Sequence, residues 1–220
     1  MNFVEILTPG IVDYQKGWDL QRELFNNLLH SEKSERAKIM KLILLEHPHV
    51  FTMGVNGDNS NILFTDELLK RIDASFYKIE RGGDVTYHGF GQLVGYPIID
   101  LDYFRIGIKD YIYRLEESVI RTIAEYGIAG ERDNSAIGVW IGANTSNARK
   151  ICAIGVKISR FITMHGFALN VTTDLNYYRY INPCGFIDKG VTSIEKETGL
   201  KPTLDEVIQK YSYHFNELFR

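Results

Sequence analysis

"RKICAIGVKISRFITMHGFALNV", residues 149–171, decides the fold class. The runs 151–159 and 161–171 read as two consecutive strands, entered from the polar loop "ANTSNARK" (143–150). More strands precede them: "IGVWIG" (137–142), "GQLVGYPIIDL" (91–101), "SFYKIE" (75–80), and two short runs in "KLILLEHPHVFTMG" (41–54) broken at Pro48. Pro97 offers no N–H, so it marks its strand as an edge or a bulge. Helices lie outside this strand-rich middle. In residues 13–34, Tyr14, Trp18, Gln21, Phe25 and Leu28 recur at steps of four and three behind an Asp13 cap. In residues 108–128, Ile108, Ile112, Leu115, Val119 and Ile123 share one face of a helix ending at Gly127. The last helix starts at Thr203 with Glu206 completing a capping box. No linker, repeat or low-complexity segment intervenes, so residues 1–220 read as a single α+β domain with helices flanking a mixed sheet.

Composition narrows the function. A chain of 220 residues with 45% hydrophobic content can bury a sizeable core. Its net charge of -3, with basic and acidic residues interspersed, provides no nucleic-acid footprint. The N-terminus has no basic start before an apolar run, and no stretch is long and apolar enough to span a bilayer, so a cytoplasmic setting without membrane association is expected. Two cysteines, Cys152 and Cys184, are too few for a disulfide scaffold and fit a reducing compartment.

Several chemistries are absent as motifs. There is no GxxxxGK[ST] loop, and "GFGQLVG" (89–95) misses the GxGxxG spacing and leads into a strand. His47 and His49 flank a proline, HExxH is missing, and so is GxSxG, so neither a metal nor a cofactor is expected. A cysteine remains. Cys152 lies in an apolar strand and reads as a small core residue, whereas Cys184, in "YINPCGFIDKGVTS" (180–193), stands between a proline and a glycine where a thiol can be presented to a ligand. "RGGDVTYHGFGQ" (81–92) packs four glycines among Arg81, Asp84, Tyr87 and His88, which fits a tight hairpin or a loop that brings backbone close to a ligand.

In that order, "RGGDVTYHGFGQLVGYPIIDL", "RKICAIGVKISRFITMHGFALNV" and "INPCGF" resemble the lipoyl(octanoyl) transferases, and with "EHPHVFTMG" and the first helix the likeness spans most of residues 14–195. The family usually has proline after His-Gly of the first block; Phe90 stands there in this chain. The resemblance implies a fold shared with biotin- and lipoate-protein ligases. It also implies that an octanoyl group passes from acyl carrier protein to an enzyme cysteine and then to a lysine of a lipoyl domain, in 2-oxoacid dehydrogenase complexes or the glycine cleavage H protein. By the same likeness, Cys184 is the acyl-thioester cysteine and Lys150 the lysine that lowers its pKa. Arg81, Gly82, Gly83, Asp84, Val85, Thr86, Tyr87 and His88 match one substrate-contacting block, Ala153, Ile154 and Gly155 a second, and Gly166, Phe167 and Ala168 a third. Small residues suit a tunnel in which each buried methylene contributes about 0.8 kcal/mol. His88 and His165 are candidates for proton transfer, for binding the second substrate, or for structural hydrogen bonds. The chain is expected to act as a monomer. Three other readings stand beside this one. An ATP-dependent lipoate- or biotin-protein ligase would leave Cys184 superfluous, a non-catalytic lipoyl-domain binder would need neither Cys184 nor Lys150, and a cysteine hydrolase would require water to outcompete the lysine amine.

Overall fold

A computed structural model describes residues 4–133, 135–182 and 190–220. In chain order the elements are β1 (Glu5–Ile11), α1 (Tyr14–His30), α2 (Arg36–Ile39), β2 (Lys41–Glu46), β3 (Val50–Met53), α3 (Asp66–Arg71), β4 (Ser75–Lys78), β5 (Val85–His88) and β6 (Gln92–Ile98). There follow α4 (Ile108–Ala124), β7 (Glu131–Asp133), β8 (Ala136–Ile141), β9 (Arg149–Ser159), β10 (Ile162–Asn170), a 3₁₀ turn (Leu175–Tyr180), β11 (Gly190–Val191), α5 (Ile194–Thr198) and α6 (Leu204–Leu218).

The strand pair that opens the reading is β9 and β10, a hairpin whose linking residues Arg160 and Phe161 both take positive φ, as a two-residue turn with the twist of its strands requires. Around it runs the order β1-β2-β6-β10-β9-β8-β7, with β11 added parallel to the start of β9. Because β1 pairs parallel with β2 while β6, β10 and β9 pair antiparallel, the sheet is mixed, as expected. The strands divide between two sheets, however. β4-β3-β5 form a separate small one, and the chain crosses into it at Pro48.

Helix positions follow the sequence periodicity with one exception. Leu115, Val119 and Ile123 of α4 and Val207, Tyr211 and Phe215 of α6 are fully buried, and Tyr211 packs its ring 4.4 Å from that of Phe167 on β10. Ile108 at the start of α4 is instead exposed. Truncating one of the buried leucines, such as Leu115, to alanine would cost about 2–5 kcal/mol. The Asp13 carboxylate accepts the Lys16 N–H, and Thr203 and Glu206 form the reciprocal capping box.

Two local expectations are corrected. Residues 81–92 do not form a hairpin, because β5 pairs with β3, in the register Thr86 to Thr52, and not with β4 or β6. β6 is an interior strand, so Pro97 does not mark an edge; it sits where the β6–β10 ladder is interrupted, between the Gly95–Phe167 pair and the isolated Asp100–Ile162 bridge. Opposite the break, His165 adopts φ 60°, a strained conformation for a residue with a side chain.

Candidate active site

Between the small sheet and the β8–β10 part of the large one lies a cavity of about 470 Å³. The glycine loop forms one wall. It reaches the large sheet where the Gly82 N–H donates to Val156 O at 2.9 Å, and a Cβ on Gly155 would come 2.7 Å from Gly82 O, so only glycine permits this approach. Asp84 ties the loop from the other side, accepting from the N–H groups of Val85 and Asp58 and from Asn61 Nδ2. Arg81 is nearly buried and donates through Nη2 to Thr52 O at 2.7 Å and to Thr52 Oγ1 at 3.0 Å, and through Nη1 to Gly82 O at 3.0 Å. Its guanidinium thereby braces the loop.

Every residue of the three expected contact blocks lines this cavity except Tyr87. Tyr87 lies on the opposite face of β5 from Thr86 and His88, by the two-residue period of a strand. Its ring stacks 4.8 Å from that of Tyr177 and its hydroxyl lies 2.7 Å from His49 Nδ1. This side also answers for Phe90. Its ring packs edge-on against His49 at 5.0 Å, and the neighbouring Gly91 N–H donates to Glu46 Oε1 at 2.7 Å, which tethers the loop without proline. A Cβ on Gly166 would meet Pro97 Cδ at 2.7 Å, so Gly166, like Gly155, is small to permit close strand contact.

Lys150 lines the cavity from β9. Its Nζ donates to Ile137 O at 3.2 Å and stands 4.6 Å from the centre of the Trp140 ring. Val191 pairs with Lys150 from the other side and lines the same cavity. Cys184 falls outside the described residues. Cys152 is a fully buried core residue, as expected, and burial pushes its thiol up out of the reactive range.

The histidines are set differently. His88 Nδ1 donates to Gln92 Oε1 at 2.9 Å, because the Gln92 amide group is already committed to Tyr87 O and Asn170 Oδ1. Its Nε2 lies 3.4 Å from Thr52 Oγ1. Burial depresses its pKa to about 3, with smaller contributions from His47 and Arg81. His165, whose backbone N–H donates to Gln21 Oε1 at 3.1 Å, likewise has its ring pKa lowered to about 3, first by burial. Each ring is a neutral imidazole at neutral pH, with one N–H proton and no charge.

Sequence reasoning missed several wall residues, among them Tyr14, Tyr96, Trp140, Asn170 and Tyr178. Tyr14 was legible only as a core position on a helix stripe. Asn170, two residues after Ala168 on the same face of β10, carries a signal in the strand period.

Comparison with known proteins follows the same lines. The family model described as the lipoyl protein ligase A/B catalytic domain matches residues 13–216. An octanoyltransferase of Bacteroides fragilis (strain YCH46) is 50% identical over 200 residues, which is 91% of this chain and 90% of that protein. The chain belongs to the octanoyltransferase family. An octanoyltransferase of Christiangramia forsetii is similar at 48% identity over 224 residues, covering 99% of this chain and 96% of that one. The family's members are acyltransferases, and this chain is one of them. Solved structures share the fold at low identity. The bipartite lipoate protein ligase from Thermoplasma acidophilum superposes with a TM-score of 0.68 at 14% identity, over 98% of this chain and 84% of that one. The biotin protein ligase from Aquifex aeolicus gives 0.53 at 11%, over 97% and 68%. Among the described residues, no helix is long and apolar enough to cross a membrane.

Proposed function

We propose that this octanoyltransferase takes its octanoyl group as a thioester from acyl carrier protein, holds it as a thioester on Cys184, and delivers it to the ε-amine of a lipoyl-domain lysine, acting as a cytoplasmic monomeric single-domain enzyme without a cofactor. The observation that carries the reading is the cavity: three separated sequence blocks of the family converge on one largely apolar space, with the Lys150 ammonium on its wall. In the resting enzyme the Cys184 thiol has already passed its proton to Lys150, and in the first half-reaction the thiolate attacks the thioester carbonyl. The C–S bond to the carrier breaks, and the departing carrier thiolate takes the proton back from Lys150. In the second half-reaction the acceptor amine attacks the Cys184 thioester, loses a proton to the now neutral Lys150, and expels the enzyme thiolate, which is left paired with the Lys150 ammonium. The neutral histidines and the braced Arg81 shape the space in which this happens.

Intact mass spectrometry after exposure to octanoyl-carrier protein, without nucleotide, tests the sequence of events. The wild type should gain one octanoyl group and lose it when an unmodified lipoyl domain is added. Cys184→Ser should neither retain the adduct nor transfer, whereas Cys152→Ser should do both. Turnover by Cys184→Ser would remove the covalent intermediate, and an absolute need for ATP would place the chemistry with the ligases.

A further inference from the structure

Glu116 is a carboxylate in an unusual place. It sits on α4 only 6% exposed, beside the fully buried Leu115, where an acidic residue is rare unless it is paired. One oxygen, Oε1, accepts the Gly138 N–H at 3.1 Å, and Oε2 lies 3.2 Å from Arg132 Nε; Arg132 also reaches Glu117 Oε2 at 2.6 Å. The Gly138 N–H belongs to the same peptide unit as the Ile137 carbonyl, and that carbonyl accepts the Lys150 ammonium at 3.2 Å. A trans peptide is planar with its N–H and C=O opposed, so whatever fixes the one fixes the direction of the other.

The backbone is built around this unit. Gly138 has φ 130°, and a Cβ there would stand 2.6 Å from Cys152 O, so the peptide orientation requires glycine. Just beyond it, the β8–β9 register slips between Val139 and Trp140, which frees the local backbone from strict ladder geometry. A carboxylate on the N–H side also polarises the peptide and strengthens its carbonyl as an acceptor for a cation. Burial pushes the Glu116 carboxyl up, opposed by the Gly138 N–H, by Arg132 and by Lys150, so Glu116 and Lys150 sense one another across the peptide.

We propose that Glu116 is a positioning residue for the transfer reaction: through the Ile137–Gly138 peptide it aims the carbonyl that holds Lys150 Nζ on the cavity wall. This rests on the reading of Lys150 as the proton carrier. A role limited to pairing with Arg132 would be purely structural, and the two are separable.

The experiment measures kcat and KM for octanoyl transfer, together with the pH midpoint of Cys184 alkylation by iodoacetamide, in folded Glu116 variants. Glu116→Leu removes the acceptor. It should lower kcat about tenfold, the equivalent of one lost hydrogen bond, with little change in KM for the octanoyl carrier. The alkylation midpoint should move upward. Glu116→Gln keeps an amide oxygen facing Gly138 and should stay within about threefold of wild-type kcat. If Glu116→Leu does not fold, Glu116→Asp serves: it retains the charge beside Arg132 but withdraws it by one methylene from Gly138, and kcat should again fall. Arg132→Lys, which keeps a cation beside Glu116 but cannot fork to both Glu116 and Glu117, is the structural control and should lower Tm with little effect on kcat. Wild-type kcat and alkylation in a folded Glu116→Leu or Glu116→Asp would overturn the proposal, as would Gln falling as low as Leu. A wild type that shows no transfer would instead defeat the underlying reading of the site.

Discussion

The two ends of the cavity hold titratable side chains under opposite rules. At the small-sheet end, His88 and His165 are almost wholly enclosed, and burial holds both neutral. At the β8–β9 wall, Lys150 is only partly buried, and its ammonium is held by a carbonyl and faced by an aromatic ring. Histidine is the usual carrier of protons near neutral pH. Here enclosure removes that capacity from the histidines, and the proposed carrier is a lysine. The lesson is that residue type nominates a proton carrier, while desolvation decides whether it can act.

The sharpest way to break this contrast is to remove the charge at the wall. Lys150→Met should lower kcat for octanoyl transfer by about a hundredfold or more, within the range that a positioned proton-transfer group contributes. Lys150→Arg should be similarly poor, because a guanidinium stays protonated. A Lys150→Met enzyme with near wild-type turnover would return the role to the histidines.

Acid stability probes the other end. His47, His88 and His165 have native pKa values depressed from 6.5 to about 4, 3 and 3 by burial first of all, so the unfolded chain binds protons that the native chain refuses. Stability is therefore complete above about pH 6.5 and is lost as pH falls through the window down to the depressed values. The slope is on the order of 1.4 kcal/mol per pH unit for each histidine. Urea titrations at pH 7, 6 and 5 should show the midpoint falling without a matching change in the pH midpoint of kcat. A flat stability over that range would mean that these rings are protonated in the fold.

How much of this was open to the sequence depends on the range of the interaction. Asp13, Gly127 and the Thr203–Glu206 box act within a turn or two of chain, and their signals were legible. The three blocks singled out by resemblance converge on one cavity, Tyr87 excepted. What failed depended on partners distant in sequence. The face presented by Tyr87 is set by β5 pairing with β3, and the interior place of Pro97 by β6 lying between β2 and β10. Glu116 carries no signal in the helical pattern of α4, because the strand it touches begins twenty residues later.

A smaller effect refines the apolar middle of the cavity. Gly155 and Gly166 are committed to backbone contacts, which leaves Ala168 as the residue whose enlargement acts mainly on the acyl chain. Ala168→Leu should shift the C6-to-C8 rate ratio toward the shorter chain by about tenfold, the scale of one methylene in an apolar pocket, with less effect on the C6 rate itself. An unchanged ratio would place the chain's end elsewhere.

The most direct test of the central claim is the pH dependence of Cys184 alkylation by iodoacetamide in wild type, Lys150→Met and Lys150→Arg, read by mass spectrometry with Cys152 as an internal slow control. If Lys150 holds the thiol in its ionised form, the wild-type midpoint lies well below the ordinary cysteine value of about 8.5, Lys150→Met returns to it, and Lys150→Arg stays low while transferring poorly. Superimposable wild-type and Lys150→Met profiles would contradict the account, whatever the family likeness implies.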